Sequence, residues 1–333
     1  MKLKEIDNRG TLQGFVFVRT CDRKTAKNGS TYLDLMINDS EQDFAAKIWD
    51  FKGTPEEQPA ANSVILVRGI LNMYNNQPQF RIDRFRQSNE NDGIDIGKFV
   101  PSASFPGQKM FDELVTIVDA FQDEELKKLT KAVLEEYHNR IVDLPAAFRL
   151  HHAVRGGLMM HTLSICRLAQ RVVELYPSVD GELLLAGAIM HDIAKSDEFN
   201  LSPTGLVDSY TVRGILVGHL VKGAMIIDEI GRKLEISEDL LTLLEHMLIS
   251  HHGEPEFGAA VRPSFLEAEI LSALDTLDAN IYEIESVVKG VQPGGFSTKV
   301  WALNDRKFYN HGRKEPVTDV QITFTSTEEE KKG

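Results

Sequence analysis

At 333 residues, with 42% apolar and 26% charged residues, the chain is long enough for two domains and is composed like a globular protein, not a disordered or fibrous one. Its net charge of −13 argues against a generic nucleic-acid coat, and its two cysteines, Cys21 and Cys166, stand too far apart to suggest a disulfide scaffold or local thiol chemistry. No run approaches the roughly eighteen apolar residues of a membrane span, and Met1–Asp7 has no apolar core for a signal peptide, so a cytoplasmic protein without a membrane partner is expected.

From Thr11 to about Gln87 the pattern is β, with short alternating or β-branched runs between turn residues. Strands are predicted at Gly14–Val18, Thr31–Ile37, Asp43–Trp49, Ser63–Leu71 and Gln79–Phe85, with Asn28-Gly29 as a hairpin signal between the first two. Five strands in about eighty residues fit a small closed barrel of the OB-fold kind. Residues 1–90 hold 13 Lys/Arg against 12 Asp/Glu, so this part is free to meet a polyanion while the acidity lies further on. Arg81 and Arg84 are candidate substrate contacts on its outer surface, followed by Arg86. Phe15, Phe17, Tyr32, Phe44, Trp49 and Tyr74 divide between filling the barrel and stacking on bases.

Residues 91–109, rich in polar residues, Gly and Pro, read as a linker. From 110 to 315 the period is helical: Met110, Leu114, Ile117, Val118 and Phe121 recur at three- and four-residue spacing. Further helices follow at about Asp123–Tyr137, Leu158–Leu175, Gly181–Lys195, Ile215–Ile230, Ser237–His251 and Ser264–Val288. The fold class expected is therefore a small all-β barrel followed by an all-α domain. Residues 316–333 read as a C-terminal tail, charged and without apolar residues from Thr325 onward.

The helical part is organised around Met190-His191-Asp192-Ile193-Ala194-Lys195, at the end of the apolar run Leu183–Met190. An imidazole and a carboxylate are costly to bury there unless compensated, and a bound metal would compensate both. His161, His219, His251, His252 and Asp275 are the residues available to complete such a site, and this donor set suits Mn, Fe, Zn, Co or Ni better than Ca or Mg alone. Lys195, one turn beyond Asp192, is either a point charge for a phosphate oxygen or a lysine favoured by the helix dipole. Arg155, before Gly156-Gly157, and His152 are candidate substrate contacts, with a purely structural loop as the other reading. Lone helical histidines such as His138, His151 and His246 are usually satisfied core or surface residues.

The order His161, His191-Asp192, His219, His251-His252, Asp275 resembles the HD superfamily of metal-dependent phosphohydrolases in its two-metal form. That resemblance implies His161, His191, Asp192 and Asp275 around one divalent cation, and Asp192, His219, His251 and His252 around a second, His252 being the member free to hold a phosphate instead. Two cations sharing a carboxylate activate water for attack on phosphorus, with Asp192 and Lys195 as the catalytic residues. An OB-fold ahead of such a domain resembles the YhaM family of bacterial 3′-5′ exoribonucleases, over nearly the whole chain. This implies manganese-dependent trimming of single-stranded RNA, and sometimes single-stranded DNA, from the 3′ end to nucleoside monophosphates; iron, cobalt or nickel are the other metals considered. Many relatives place an acidic residue just before the first histidine, where this chain has Met159-Met160, so the resemblance does not extend to a third metal.

Two other functions remain open at this point. An HD domain alone would equally serve a cyclic dinucleotide or nucleotide, against which stands the barrel; a nucleic-acid-binding protein with an inactive HD module is opposed by the complete ligand set. A homo-oligomer fits the apolar helices, although nothing in the sequence requires one.

Overall fold

The computed structural model describes residues 3–7, 10–39, 43–74, 77–95, 98–148, 152–318 and 322–324. They form two compact units, Met1–Ser102 with Leu201–Asp208, and Ala103–Asn200 with Ser209–Gly333. His151, the side chain of Tyr74 and the segment from Thr325 onward lie outside the described residues.

The first unit is a closed barrel. After the short β1 (Lys4–Glu5) come β2 (Thr11–Thr25), β3 (Thr31–Asn38), β4 (Asp43–Ile48), β5 (Ser63–Tyr74) and β6 (Gln77–Gln87). The sheet runs β1-β2-β3-β4-β6-β5, and β2 also pairs with β5, which closes it; β4 and β6 meet in parallel. Alternate residues therefore point into one core containing Val16, Leu33, Ile37, Ile65, Val67 and Phe80. Closure depends on a bulge at Arg68/Gly69. There a Cβ on Gly69 would stand 2.0 Å from the Arg81 carbonyl oxygen, so only glycine lets the strands approach. The predicted strands correspond to β2–β6, each within one to a few residues of the stated ends or longer.

The aromatic rings of this unit divide between core and surface. Phe44 fills the barrel. Phe17, with Phe15 beside it, packs on Val64, Phe99, Val100 and Leu206, so part of the segment read as linker covers the barrel wall. Tyr32 and Trp49 stay together at the surface, ring centroids 4.8 Å apart.

The second unit is helical: α1 (Gly107–Asp119), α2 (Glu124–Ile141), α3 (Gly157–Leu175), α4 (Gly181–Met190), α5 (Lys195–Glu198), α6 (Val212–Leu216), α7 (Gly218–Lys233), α8 (Glu238–Ser250) and α9 (Leu266–Val288). Asp123 caps α2 by accepting from the Glu125 and Leu126 amides, and Asp180 caps α4 by accepting from Leu183. The helix α4 is apolar nearly all round and is buried accordingly among the others. Between α5 and α6 a hairpin, β7 (Phe199–Leu201) with β8 (Val207–Tyr210), interrupts the helical run and was not apparent in the residue periodicity. Within the segment read as a tail, Ile322 and Phe324 are buried in the helical core.

Candidate metal centre

The central motif leaves the helix at the point where its polar residues begin. The helix α4 stops at Met190, and residues 191–194 form tight turns in which the Ile193 amide donates to Met190 O and the Lys195 amide to Asp192 O. His191 still has helical backbone angles and donates its amide to Gly187 O, and both it and Asp192 contribute to one cluster. His191 Nε2 is 3.2 Å and His161 Nε2 3.8 Å from Asp192 Oδ2, whereas His219 Nε2 is 3.4 Å and His251 Nε2 3.8 Å from Asp192 Oδ1. Each oxygen of a single carboxylate thus faces its own pair of imidazoles. Asp275 joins at 3.1 Å from His161 Nε2, and His252 groups with His219 and His251, their ring nitrogens lying within 4.8 Å of one another.

Four of the five imidazoles are held by their other nitrogen. His191 Nδ1 donates to Ala188 O and His251 Nδ1 to Leu248 O, each at 2.8 Å and each to a carbonyl three residues back in the helix it terminates. His252 Nδ1 donates to Phe257 O at 2.8 Å. A carbonyl oxygen can only accept, so these three rings carry their proton on Nδ1 and turn the Nε2 lone pair to the cluster. His161 Nδ1 lies 2.7 Å from Asp278 Oδ2, the carboxylate version of the same support, while His219 Nδ1 is 3.0 Å from Glu198 Oε2 but without hydrogen-bond geometry. Neither carboxylate stands out in the sequence as a support for a ligand. The available signal was spacing: Asp278 stands one turn after Asp275, and Glu198 one turn after Lys195.

These residues fit a divalent cation. The Nε2 atoms of His191, His219 and His251 and Oδ1 of Asp192 are buried without a hydrogen-bond partner among the described residues. Inward-facing lone pairs at a buried site are what cations satisfy and what a protein otherwise avoids. Burial opposes ionisation of Asp192, but Lys195, His191 and His219 outweigh it and hold the carboxyl well below the usual range. Burial likewise opposes charge on His161, yet Asp275 and Asp278 on either side raise its pKa to about 10, so the ring holds a proton between the two carboxylates that an incoming cation would have to displace from Nε2. Burial keeps His251 and His252 neutral, the form in which imidazole binds metal.

Lys195 Nζ sits 2.6 Å from Asp192 Oδ2, and Lys195 also lines a cavity of about 580 Å³ beside the cluster, together with His219, His252 and Asp275. The other expected substrate contacts are elsewhere. His152 is buried at φ 53°, its Nε2 2.9 Å from Asp278 Oδ2, on the same oxygen that holds His161. Arg155 pairs with Asp143 at 2.7 Å. The glycines after it serve the backbone, since a Cβ on Gly157 would stand 1.9 Å from His152 O. Arg81 and Arg84 are exposed on the barrel, Arg81 with its Nε 3.2 Å from Asp83.

The HD domain family matches residues 158–280, which include the whole cluster. The chain is 33% identical over 309 residues to the 3′-5′ exoribonuclease YhaM of Listeria welshimeri, covering 93% of this chain and 98% of that protein. It is 32% identical over 295 residues to the 3′-5′ exoribonuclease YhaM of Bacillus licheniformis, covering 89% and 93% respectively. Among solved structures, a replication protein A heterotrimer bound to ssDNA matches 25% of this chain and 61% of that chain, at 16% identity and a TM-score of 0.21. No described helix is long and apolar enough to cross a membrane.

Proposed function

The chain belongs to the YhaM family of 3′-5′ exoribonucleases, hydrolases with an HD domain, and on that footing we propose that it shortens single-stranded RNA from the 3′ end to nucleoside 5′-monophosphates at the His/Asp cluster. Single-stranded DNA is proposed as a weaker second substrate. His161, His191, Asp192 and Asp275 would hold one cation, and Asp192, His219, His251 and His252 a second; manganese is the metal proposed, with iron, cobalt or nickel as substitutes. The observation that carries this reading is the carboxylate of Asp192, whose two oxygens each face a separate pair of Nε2 atoms.

Divalent cations in such a site supply Lewis-acid stabilisation of phosphoryl charge and a water acidified for attack on phosphorus. The chain's own residues do the rest. Asp192 and Asp275 remain ionised and so offset the cationic charge. Lys195, charged despite burial because Asp192 stands beside it, offers the cavity a fixed positive charge for a phosphoryl oxygen. The Nδ1 anchors keep the imidazoles from turning, so the ligand set is already arranged before substrate arrives.

Residues 1–90 are proposed as the nucleic-acid-binding domain, 91–109 as linker and 110–315 as the hydrolytic domain. A barrel tethered to the cavity raises the effective concentration of a strand end there. Exposed apolar side chains on α6, Val212, Ile215 and Leu216, support self-association, which light scattering would test.

The decisive experiment incubates purified protein with Mn²⁺ and a 5′-labelled single-stranded RNA, with and without EDTA, beside an Asp192→Ala variant. A ladder shortening from the 3′ end, lost with EDTA and in the variant, supports the reading. RNA bound but left intact would shift the function to the barrel, and RNA neither bound nor cut would point to cyclic dinucleotides or nucleotides.

A further inference from the structure

The cavity beside the cluster is larger than the chemistry at Asp192 requires, and its remaining lining has a chemistry of its own. Past Asp275, the next turns of α9 bring Asn280 and Glu283 to the cavity, and a strap at residues 296–310 contributes Asn304 and Arg306. The strap is firmly built. Bridges join Phe296 to Tyr309 and Val300 to Arg306, and the buried Asn310 donates its side-chain amide to Val291 O at 2.7 Å. At its tip Asn304 and Asp305 take left-handed backbone angles, φ 58° and 55°, and the Arg306 amide donates to Leu303 O, the tight hairpin turn that Asn and Asp favour.

Two charged groups in this part of the cavity do not neutralise each other. Arg306 is oriented by its Nε, which donates to Leu303 O at 2.9 Å, and by the Phe308 ring 5.3 Å from its guanidinium carbon; among the described residues no carboxylate pairs with it. Glu283 likewise has neither hydrogen bond nor ion pair among the described residues, and burial raises its pKa. A ligand satisfying both must present anionic oxygens to the guanidinium and hydroxyl or amino donors to the carboxylate. A carboxylate facing a polyanion is unfavourable unless donors meet it, and the terminal ribose of RNA carries a 2′,3′-diol. Asp275 and Glu283 are eight residues apart, roughly 12 Å along the helix at ~1.5 Å per residue, a span that one nucleoside monophosphate bridges.

We propose that this part of the cavity receives the 3′-terminal nucleoside of RNA, with Glu283 accepting hydrogen bonds from its 2′ and 3′ hydroxyls and Arg306 holding a phosphate oxygen of the strand. This rests on the exonuclease reading and makes Glu283 the residue that distinguishes RNA ends from DNA ends. It also disfavours a 3′-phosphorylated end, which would bring a dianion against the carboxylate.

The test compares three short 5′-labelled RNAs differing only in the last nucleotide: an ordinary ribose end, a 2′-deoxy end and a 3′-phosphate end. First-nucleotide release is measured in single turnover with Mn²⁺, and the dissociation constant in EDTA, for wild type, Glu283→Ala and Glu283→Gln. A 2′-deoxy end is expected to weaken binding to wild type and slow first release by roughly tenfold, the scale of a hydrogen bond to a charged group. Glu283→Ala should remove that difference, and Glu283→Gln should relieve the penalty on the 3′-phosphate. Equal binding of ribose and 2′-deoxy ends by wild type, or an unchanged ratio in Glu283→Ala, overturns the proposal. Failure of the exonuclease reading would instead show as no cleavage of any RNA by wild type, and the binding ratios in EDTA would still decide the role of Glu283.

Discussion

His161 Nδ1 lies 2.7 Å from Asp278 Oδ2, inside the helical core, so the ring that faces the cluster is aligned from behind by a buried carboxylate. The same Asp278 accepts from the Ser164 hydroxyl and lies 2.9 Å from His152 Nε2, which makes one side chain the common support of three others. Asp278→Asn keeps the shape but loses the charge that holds His161. Manganese affinity is expected to fall about 10- to 100-fold, the usual cost of disturbing the support of a metal-binding histidine. A manganese titration of activity reads this as a right-shifted curve, with recovery at high metal; an unshifted curve would remove Asp278 from the metal centre.

The cluster should also respond in stability. Its inward lone pairs are buried without partners, and a cation that binds only the folded state adds about 3 kcal/mol at a hundredfold excess over its dissociation constant. For a helical unit of this size that is a rise in Tm of about 5–10 °C. Differential scanning calorimetry with Mn²⁺ and with EDTA measures it. Asp192→Asn, which removes the carboxylate shared by both pairs of imidazoles, should abolish most of the rise; a full rise in that variant would place the metal elsewhere.

Neither thiol should matter. Cys166 is fully buried, which pushes its pKa up to about 12, and burial, with Asp22 adding to it, pushes Cys21 up to about 11. Only the thiolate reacts, so alkylation of the native protein by iodoacetamide at pH 8 should be at least roughly a hundredfold slower than that of free cysteine. Mass spectrometry should find both residues unmodified and activity unchanged, and rapid labelling with loss of activity would contradict the absence of thiol chemistry.

The ligand set is legible in the sequence because it consists of exceptions. His161 within the apolar α3, and His191 and Asp192 directly after the apolar α4, are polar residues in stretches that otherwise bury apolar side chains. Asp278, Glu198 and Ser164 are not legible in the same way, since an acidic or hydroxyl residue on a helix looks solvated until the distance to an imidazole is known. His152 illustrates the converse: its candidacy as a substrate contact came from its neighbours, but its positive φ and its bond to Asp278 are tertiary facts. In the barrel, alternation makes β2–β6 legible, whereas β1 is a two-residue pairing of exposed Lys4 and Glu5 with no pattern to find. The hairpin β7–β8 escapes for a similar reason, because its strands are three and four residues long with a single buried residue each.

On the barrel, Tyr32 and Trp49 offer a surface that the core does not use. Their rings are 4.8 Å apart, Lys47 Nζ lies 4.8 Å from the Tyr32 ring and 5.6 Å from the Trp49 ring, and Trp49 remains 45% exposed. Lys47 is held in place by Asp34 at 3.0 Å, so the platform is ordered before any strand arrives. Stacking of a base on an aromatic side chain is worth about 1–3 kcal/mol. Trp49→Ala should therefore raise the dissociation constant for single-stranded RNA by roughly tenfold, read by fluorescence anisotropy in EDTA. Because the platform is proposed to capture the strand and not to act on it, kcat at saturating RNA should keep its wild-type value while KM rises. A Trp49→Ala variant that binds RNA normally would shift the capture surface to another face of the barrel, where Arg81 and Arg84 are the next residues to replace.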